Sequence, residues 1–310
     1  MRCSVTCSRI LQMKVKHPST LAEDIYTLLD RQVHHDPDPR LLAEYGERAS
    51  ATLARSFELR DKPRDTSKIW FSDLGEECER KLWYTFNQTE SSETLMGHTL
   101  FKFSYGDILE DKVLYLAKEA GHRVEGEQDR VEQIHPAEGV TLSGRIDAVI
   151  DGVLIDVKST SSYGYSKYTK EGLNPGNDTF GYLWQLSGYF HKYGKLENTP
   201  GFVWIDKQNG HIAYTEIEPY TEEQVDDEVA RIASVIKQDK VKGFRQRVKA
   251  EGKSGNEVLS IKCSYCPFKQ HCWSKAEGGP GLRTFIYSNG PKYFTKVVNL
   301  PRVYEVTGEE

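Results

Sequence analysis

The order of predicted elements points to an α/β fold with a mixed central sheet flanked by helices. Three observations carry this. Helical patterns near 72–86 and 105–120 are followed by strand-like segments at about 122–135, 139–150 and 153–159. A helix at 178–194, strands near 201–207 and 211–218 and a helix at 221–239 come next. Within this series, "SGRIDAVIDGVLIDVKS" (143–159) places two β-prone runs around Asp151-Gly152, a dipeptide favoured by two-residue hairpin turns.

The flanks read differently. Residues 1–18 form a leader, and Ser19 or Thr20 is placed to cap a helix through Leu29, with Glu23 completing a capping box from Thr20. "HHDPDP" (34–39) breaks it, a second helix runs from about Leu41 to Leu59, and "RDKPRDTSK" (60–68) is a polar linker. Beyond the core, "EGGPG" (277–281) is a break, and 283–306 reads as a β-hairpin around "SNGP". The expected division is an N-terminal leader and helical extension (1–68), a main domain (69–275) and a small β-rich C-terminal extension (276–310), without internal repeats.

Composition bounds the function. Hydrophobic residues make up 38% of 310 residues, and 25 glycines bring the apolar share to an ordinary globular level. No apolar run reaches the ~18 residues of a membrane span, and "MRCSVTCSRILQMK" lacks a signal-peptide core, so a cytoplasmic location is expected. The net charge of −5 excludes a uniformly basic coat but not local basic patches. Six cysteines in such a chain favour metal or redox chemistry over a disulfide framework.

The hairpin brings acids together. If Ile150 pairs with Val153, Asp147 faces Asp156 and Arg145 faces Lys158, and Asp147, Asp156 and Lys158 share one face. Directly opposed carboxylates lie roughly 5 Å apart at Cβ and repel. A hard divalent cation relieves that repulsion; so does a solvated face neutralised by Arg145 and Lys158.

Asp147 followed by Asp156-Val157-Lys158 resembles the D…(D/E)-x-K signature of the PD-(D/E)XK nuclease superfamily, with Asp156 in place of the more usual Glu. "SYGDILEDKVLYLAKEAG" (104–121) is similar to the first helix of its RecB-type branch, with Glu110 where many relatives have His. On a helix Glu110 shares a face with Val113, Leu114 and Ala117, where an acid needs a partner. "YLWQLSGYF" (182–190) resembles that branch's Q-x-x-x-Y motif through Gln185 and Tyr189. The resemblance covers about 70–275 and implies a restriction-endonuclease-like core that hydrolyses DNA phosphodiesters. It implies Mg²⁺ or Mn²⁺ held by Glu110, Asp147, Asp156 and the Val157 carbonyl, with Lys158 positioning or polarising water. Gln185 and Tyr189 would support substrate and carboxylates.

"IKCSYCPFKQHCW" (261–273) holds Cys263, Cys266 and Cys272 with C-x2-C-x5-C spacing, one ligand short of a closed site. Cys3, Cys7, Cys78 and His271 are the candidates for the fourth. Thiolate tetrads suit both zinc and iron–sulfur clusters. "CERKLWY", beginning at Cys78, resembles the early cysteine motif of the iron–sulfur RecB-type nucleases, which include the CRISPR-adaptation nucleases and AddB-type domains. That likeness implies a [4Fe–4S] cluster on Cys78, Cys263, Cys266 and Cys272, with zinc the alternative, acting as a structural staple.

DNA contacts are expected beside the acids. "STSSYGYSKYTK" (159–170) mixes Tyr163, Tyr165 and Tyr168 with Lys167 and Lys170, which suits stacking on single-stranded bases or a polar surface loop. Segment 231–253 has eight Lys or Arg against Asp239 and Glu251. It reads as a backbone-tracking patch or a solvated face. No G-x-x-x-x-G-K-[ST] motif marks a motor. The expected activity is a metal-dependent exonuclease on DNA ends or single strands, in repair, recombination, phage replication or CRISPR adaptation. A helicase, recombinase or CRISPR partner, or oligomerisation, fits that role. The alternative is a catalytically weak nucleic-acid-binding module with a structural metal cluster.

Overall fold

The computed structural model describes residues 16–30, 34–60, 64–87, 97–194, 196–241, 248–288 and 290–306. Cys3 and Cys7 in the leader, part of the 60–68 linker, residues 242–247 of the basic segment and Asn289 at the tail's turn lie outside them.

Two helices, α1 (Leu21–Leu29) and α2 (Pro39–Arg60), come first. Strand β1 (Lys68–Trp70) follows, with a short 3₁₀ turn at Phe71–Asp73. The helix expected over 72–86 is only α3 (Glu79–Phe86), because Gly75 adopts φ +75° and Cys78 is extended at its N-cap. Helix α4 (Gly97–Glu119) is longer than expected.

The segment 122–135 is not one strand. It divides into β2 (Val124–Glu125) and β3 (Arg130–Ile134), separated by a turn at 126–129. Likewise 139–150 divides into β4 (Thr141–Arg145) and β5 (Ala148–Ile150). The long strand β6 (Val153–Thr160) follows. Residues 162–170, expected as a base-stacking segment or a polar surface loop, form α5 (Ser162–Lys170), whose N-cap Ser161 accepts the Gly164 N–H. Then come α6 (Tyr182–Tyr193), β7 (Gly201–Asp206), β8 (Ile212–Glu216) and α7 (Glu222–Ile236), which opens with a Thr221/Gln224 capping box. The C-terminal part holds β9 (Lys249–Ala250), β10 (Glu257–Val258), the one-turn helices α8 (Ile261–Ser264) and α9 (Lys269–Cys272), β11 (Arg283–Tyr287), β12 (Gly290–Lys296) and β13 (Glu305–Val306).

The central five-stranded sheet has the order β2-β5-β6-β7-β8. β6 runs parallel to β7, and its other pairings are antiparallel, so the sheet is mixed as expected. The odd-numbered β6 residues Val153, Ile155 and Val157 pack with Leu21 and Ile25 of α1 and Val113, Leu114 and Ala117 of α4. On the other face Leu154 joins Phe202 and Trp204 of β7, Leu183, Leu186 and Tyr189 of α6, and Val225, Val229 and Ile232 of α7. A three-stranded sheet, β1-β4-β3, packs nearby through Ile69, Leu142 and Val131. The tail hairpin β11–β12 belongs to a five-stranded antiparallel sheet of order β13-β11-β12-β10-β9.

The hairpin register matches at the turn and fails beyond it. Asp151 (φ +51°) and Gly152 (φ +84°) form the expected turn, and Ile150 pairs with Val153. Pairing stops at Ala148 with Ile155. Arg145 belongs to the other sheet, where it pairs with Arg130, so its expected pairing with Lys158 does not occur. The chain changes sheets at Ile146-Asp147.

Candidate functional site

That break positions the first acid. Asp147 Oδ2 accepts the Val157 N–H at 2.7 Å, which tethers it beside Asp156 and Lys158 on β6. Asp156 is 4% exposed. Its Oδ2 is ion-paired with Lys158 Nζ. The two atoms are close but poorly aligned, and among the described residues Oδ2 finds no hydrogen-bond donor. Lys158 also lies 5.4 Å from the Tyr182 ring centroid.

Glu110 approaches from α4 and adds to the negative field at Asp147. Its Oε1 accepts Gln128 Nε2 at 2.7 Å and lies 3.8 Å from Arg48 Nη2 of α2. Arg48 is also ion-paired with Asp111 and Glu127.

The electrostatics show that these groups feel one another. Burial, then Asp156 and Glu110, push the Asp147 carboxyl well above its ordinary range. Burial raises Asp156 despite Lys158. Burial pushes Glu110 up to about 7, with Asp111 adding to the rise while Lys158, Arg48 and Gln128 oppose it. Burial alone would lower Lys158, but Asp156 and Asp147 outweigh it, so the ammonium is held charged.

The donor set is chemically suited to a hard divalent cation: acid oxygens, one of them buried without a donor, on rigid elements. As they stand, no three His, Cys, Asp or Glu side chains among the described residues are arranged to hold one ion. Lys158 and Arg48 supply the positive charge instead.

Gln185 and Tyr189 stack one turn apart on α6. The Tyr189 hydroxyl accepts the Arg145 N–H at 3.0 Å, and Gln185 lies one turn away on the same helix. Burial, then Asp156, raises the Tyr189 phenol. This close approach requires Gly144, because a Cβ there would overlap the Tyr189 hydroxyl and meet the Phe71 ring at 2.9 Å.

Cys78, Cys263, Cys266 and Cys272 line one cavity together with Arg80, Lys81, Tyr84 and Phe268. All four are free thiols. Burial raises Cys78 and Cys263, and pushes Cys266 up to about 11. Arg80 and Lys81 bring positive charge to the cavity beside Cys272 and Cys266. His271, the rival fourth ligand, is exposed, with its ring against Tyr84 at 5.1 Å rather than in the cavity. The cysteines share a cavity without standing near enough for three of them to hold a single ion.

Other expected contacts change. Tyr168 is 6% exposed and stacks on Trp204 at 4.6 Å, so it is core rather than a base platform. Tyr165 is half-buried, while Tyr163 is 81% exposed. In the basic segment, Arg231 is ion-paired with Glu228 and Lys237 with Glu138.

Sequence reasoning missed Gln128, Arg48 and Tyr182. The polar run "GEQD" (126–129) inside a strand pattern was a signal for the first. Arg48 had none, since its contacts are 63 and 79 residues away.

A family comparison agrees with the fold. A family model described as the PD-(D/E)XK nuclease superfamily matches residues 20–273. A solved structure of SSO0001 is 19% identical, covering 70% of this chain and 91% of its own, with a TM-score of 0.46. A phage-related exonuclease from Haemophilus somnus 129PT is 14% identical, covering 55% of this chain and 91% of its own, with a TM-score of 0.38. No curated protein matches. With the family model spanning most of its length, the chain belongs to the PD-(D/E)XK nuclease superfamily.

Proposed function

We propose that this nuclease is a divalent-metal-dependent deoxyribonuclease of the RecB-type branch, acting as an exonuclease on DNA ends or single strands. The observation that supports this most is Asp147, tethered to the Val157 N–H between Asp156 and the charged Lys158, with Glu110 tied to the Asp147 backbone through Gln128. These groups come from α4, the sheet break and β6.

Glu110, Asp147, Asp156 and the Val157 carbonyl would hold Mg²⁺ or Mn²⁺. When bound, the ion neutralises phosphate charge and lowers the pKa of water. The chain supplies the rest. Lys158 keeps its proton beside Asp156 and stabilises negative charge developing on the phosphate. Tyr189 braces the strand carrying Arg145, next to Asp147, with Gln185 one turn away on α6.

The four cysteines are proposed to hold a [4Fe–4S] cluster. The shared cavity supports this, and a polynuclear cluster spans more space than a single ion. Its role is structural. The Lys262–Glu77 ion pair already joins the two cysteine segments across 185 residues of chain, and a cluster would close that loop covalently.

The test uses linear single-stranded DNA and closed circular single-stranded DNA with Mg²⁺ or Mn²⁺. Metal-dependent loss of the linear strand only, slowed about 10²- to 10³-fold in Lys158→Ala, is expected. Cutting of the circle would overturn the exonuclease assignment. DNA binding without cleavage by clean wild type would instead identify a binding module.

A further inference from the structure

The two strand interruptions around the site lie back to back. The 126–129 turn interrupts one strand pattern, and Ile146-Asp147 interrupts the other. Gln128 N–H donates to the Asp147 carbonyl at 3.2 Å, and Ile146 N–H donates to the Asp129 carbonyl at 3.1 Å. The Gln128 side-chain amide then reaches away from the turn and donates to Glu110 Oε1 at 2.7 Å. One residue thus ties the backbone of Asp147 to the carboxylate of Glu110.

Gln128 does this from an unfavourable conformation. Its φ is +59°, in the left-handed region that non-glycine residues seldom occupy. Such residues persist where surrounding structure over-determines them, and they gather at functional sites. Here the surroundings are identifiable. Tyr193, one turn beyond Tyr189 on α6, donates its hydroxyl to Asp129 Oδ2 at 2.7 Å and packs on Gly126. Arg48 holds Glu127 from α2.

We propose that Gln128 is a positioning residue for metal binding: it links the Glu110 carboxylate to the Asp147 backbone and so limits how far the two acids must move to meet an ion. This rests on the acids being the metal site. Partners of metal ligands typically contribute 10- to 100-fold in affinity.

Two variants separate this role from a structural one. Gln128→Gly relaxes the left-handed backbone and removes the amide. Gln128→Asn tolerates the same backbone but carries a side chain one methylene short. Mn²⁺ binding is measured calorimetrically on the full chain without DNA, alongside thermal unfolding in EDTA. Both variants are expected to fold with unfolding temperatures near wild type, the relaxed backbone offsetting the lost bond to Glu110, while binding Mn²⁺ about 10-fold or more weakly. The KM for DNA at saturating Mn²⁺ should stay unchanged. Wild-type Mn²⁺ affinity in Gln128→Gly would overturn the proposal, as would failure of this relaxed variant to fold. Asp147→Ala is the control. If it retains Mn²⁺ affinity and cleavage, the acids are not the metal site. If it loses both while Gln128→Gly binds normally, only the role of Gln128 is wrong.

Discussion

Asp147 Oδ2 accepts the Val157 N–H at 2.7 Å, so the acid at the sheet break is fastened to the residue between Asp156 and Lys158. A change at one of these positions is felt at the others.

Lys158→Ala is the sharpest chemical test. It removes the cation that faces Asp156 and Asp147. Cleavage should fall about 10²- to 10³-fold, the usual loss for one group that stabilises developing charge. It also leaves Asp156 buried without its counterion, which costs about 3–5 kcal/mol for a buried pair at neutral pH. Single-turnover cleavage and urea unfolding measure the two effects separately, and Mn²⁺ should restore part of the stability.

Gly144→Ala tests the support of the acids from α6. The new methyl would overlap the Tyr189 hydroxyl and the Phe71 ring. Overpacking of this kind costs about 1–3 kcal/mol. Tyr189 must shift to make room, so kcat should fall with little change in KM. A stable variant with wild-type kcat would remove Tyr189 from the catalytic assembly.

The cysteine proposal predicts a colour and a dependence. Protein purified without oxygen should be brown, with a broad band near ~400 nm. Cys78→Ala should lose iron and unfold at lower temperature, because the early segment is no longer stapled to the late one. Zinc in place of iron, or a full iron complement in Cys78→Ala, would sink the assignment.

The readable and unreadable parts of this molecule differ in range. The Asp151-Gly152 turn, the β6 run and the one-turn spacing of Gln185 and Tyr189 are local patterns, and local backbone preferences produced them. The β4–β5 break was hidden because apolar alternation continues through Ile146 while the hydrogen-bond partners change sheets. The α5 helix was hidden by its weak helix formers, and burial of Tyr168 against Trp204 overrode their propensity. Arg48 reaches the acids only through packing of α2 on α4, which no periodicity encodes.

Tyr163 and Tyr168 should separate on mutation. Tyr168→Ala opens the stack on Trp204 and should cost about 3–5 kcal/mol, as for a buried aromatic. Tyr163 is 81% exposed, so Tyr163→Ala should change stability by less than about 0.5 kcal/mol. If Tyr163 stacks on a base, single-stranded DNA affinity should weaken by about 1–3 kcal/mol in that variant. Unfolding and fluorescence-anisotropy titrations decide it, and unchanged affinity in Tyr163→Ala would remove that contact.

The acid site should also give the metal-free protein a pH signature. Burial, with Asp111, pushes Glu110 up to about 7 from an ordinary 4.5. The folded state therefore binds more protons than the unfolded chain between those pH values, and stability falls as pH rises through that window. The penalty is absent below about 4.5 and complete above about 7, where it amounts to about 3 kcal/mol. Asp147 and Asp156 are raised as well, so their contributions have the same sign. Salt-bridged acids elsewhere, such as Glu132 beside Lys68, run the other way, so the comparison must be made against a variant. Glu110→Gln keeps the shape and removes the charge. In EDTA it should equal wild type near pH 4.5 and exceed it in urea-unfolding stability near pH 8. Saturating Mn²⁺ should reverse that order if the proposed acids hold the ion, because only wild type keeps the full proposed set of charged ligands. Parallel stability curves for the two proteins across the window would show that Glu110 does not carry the shifted proton.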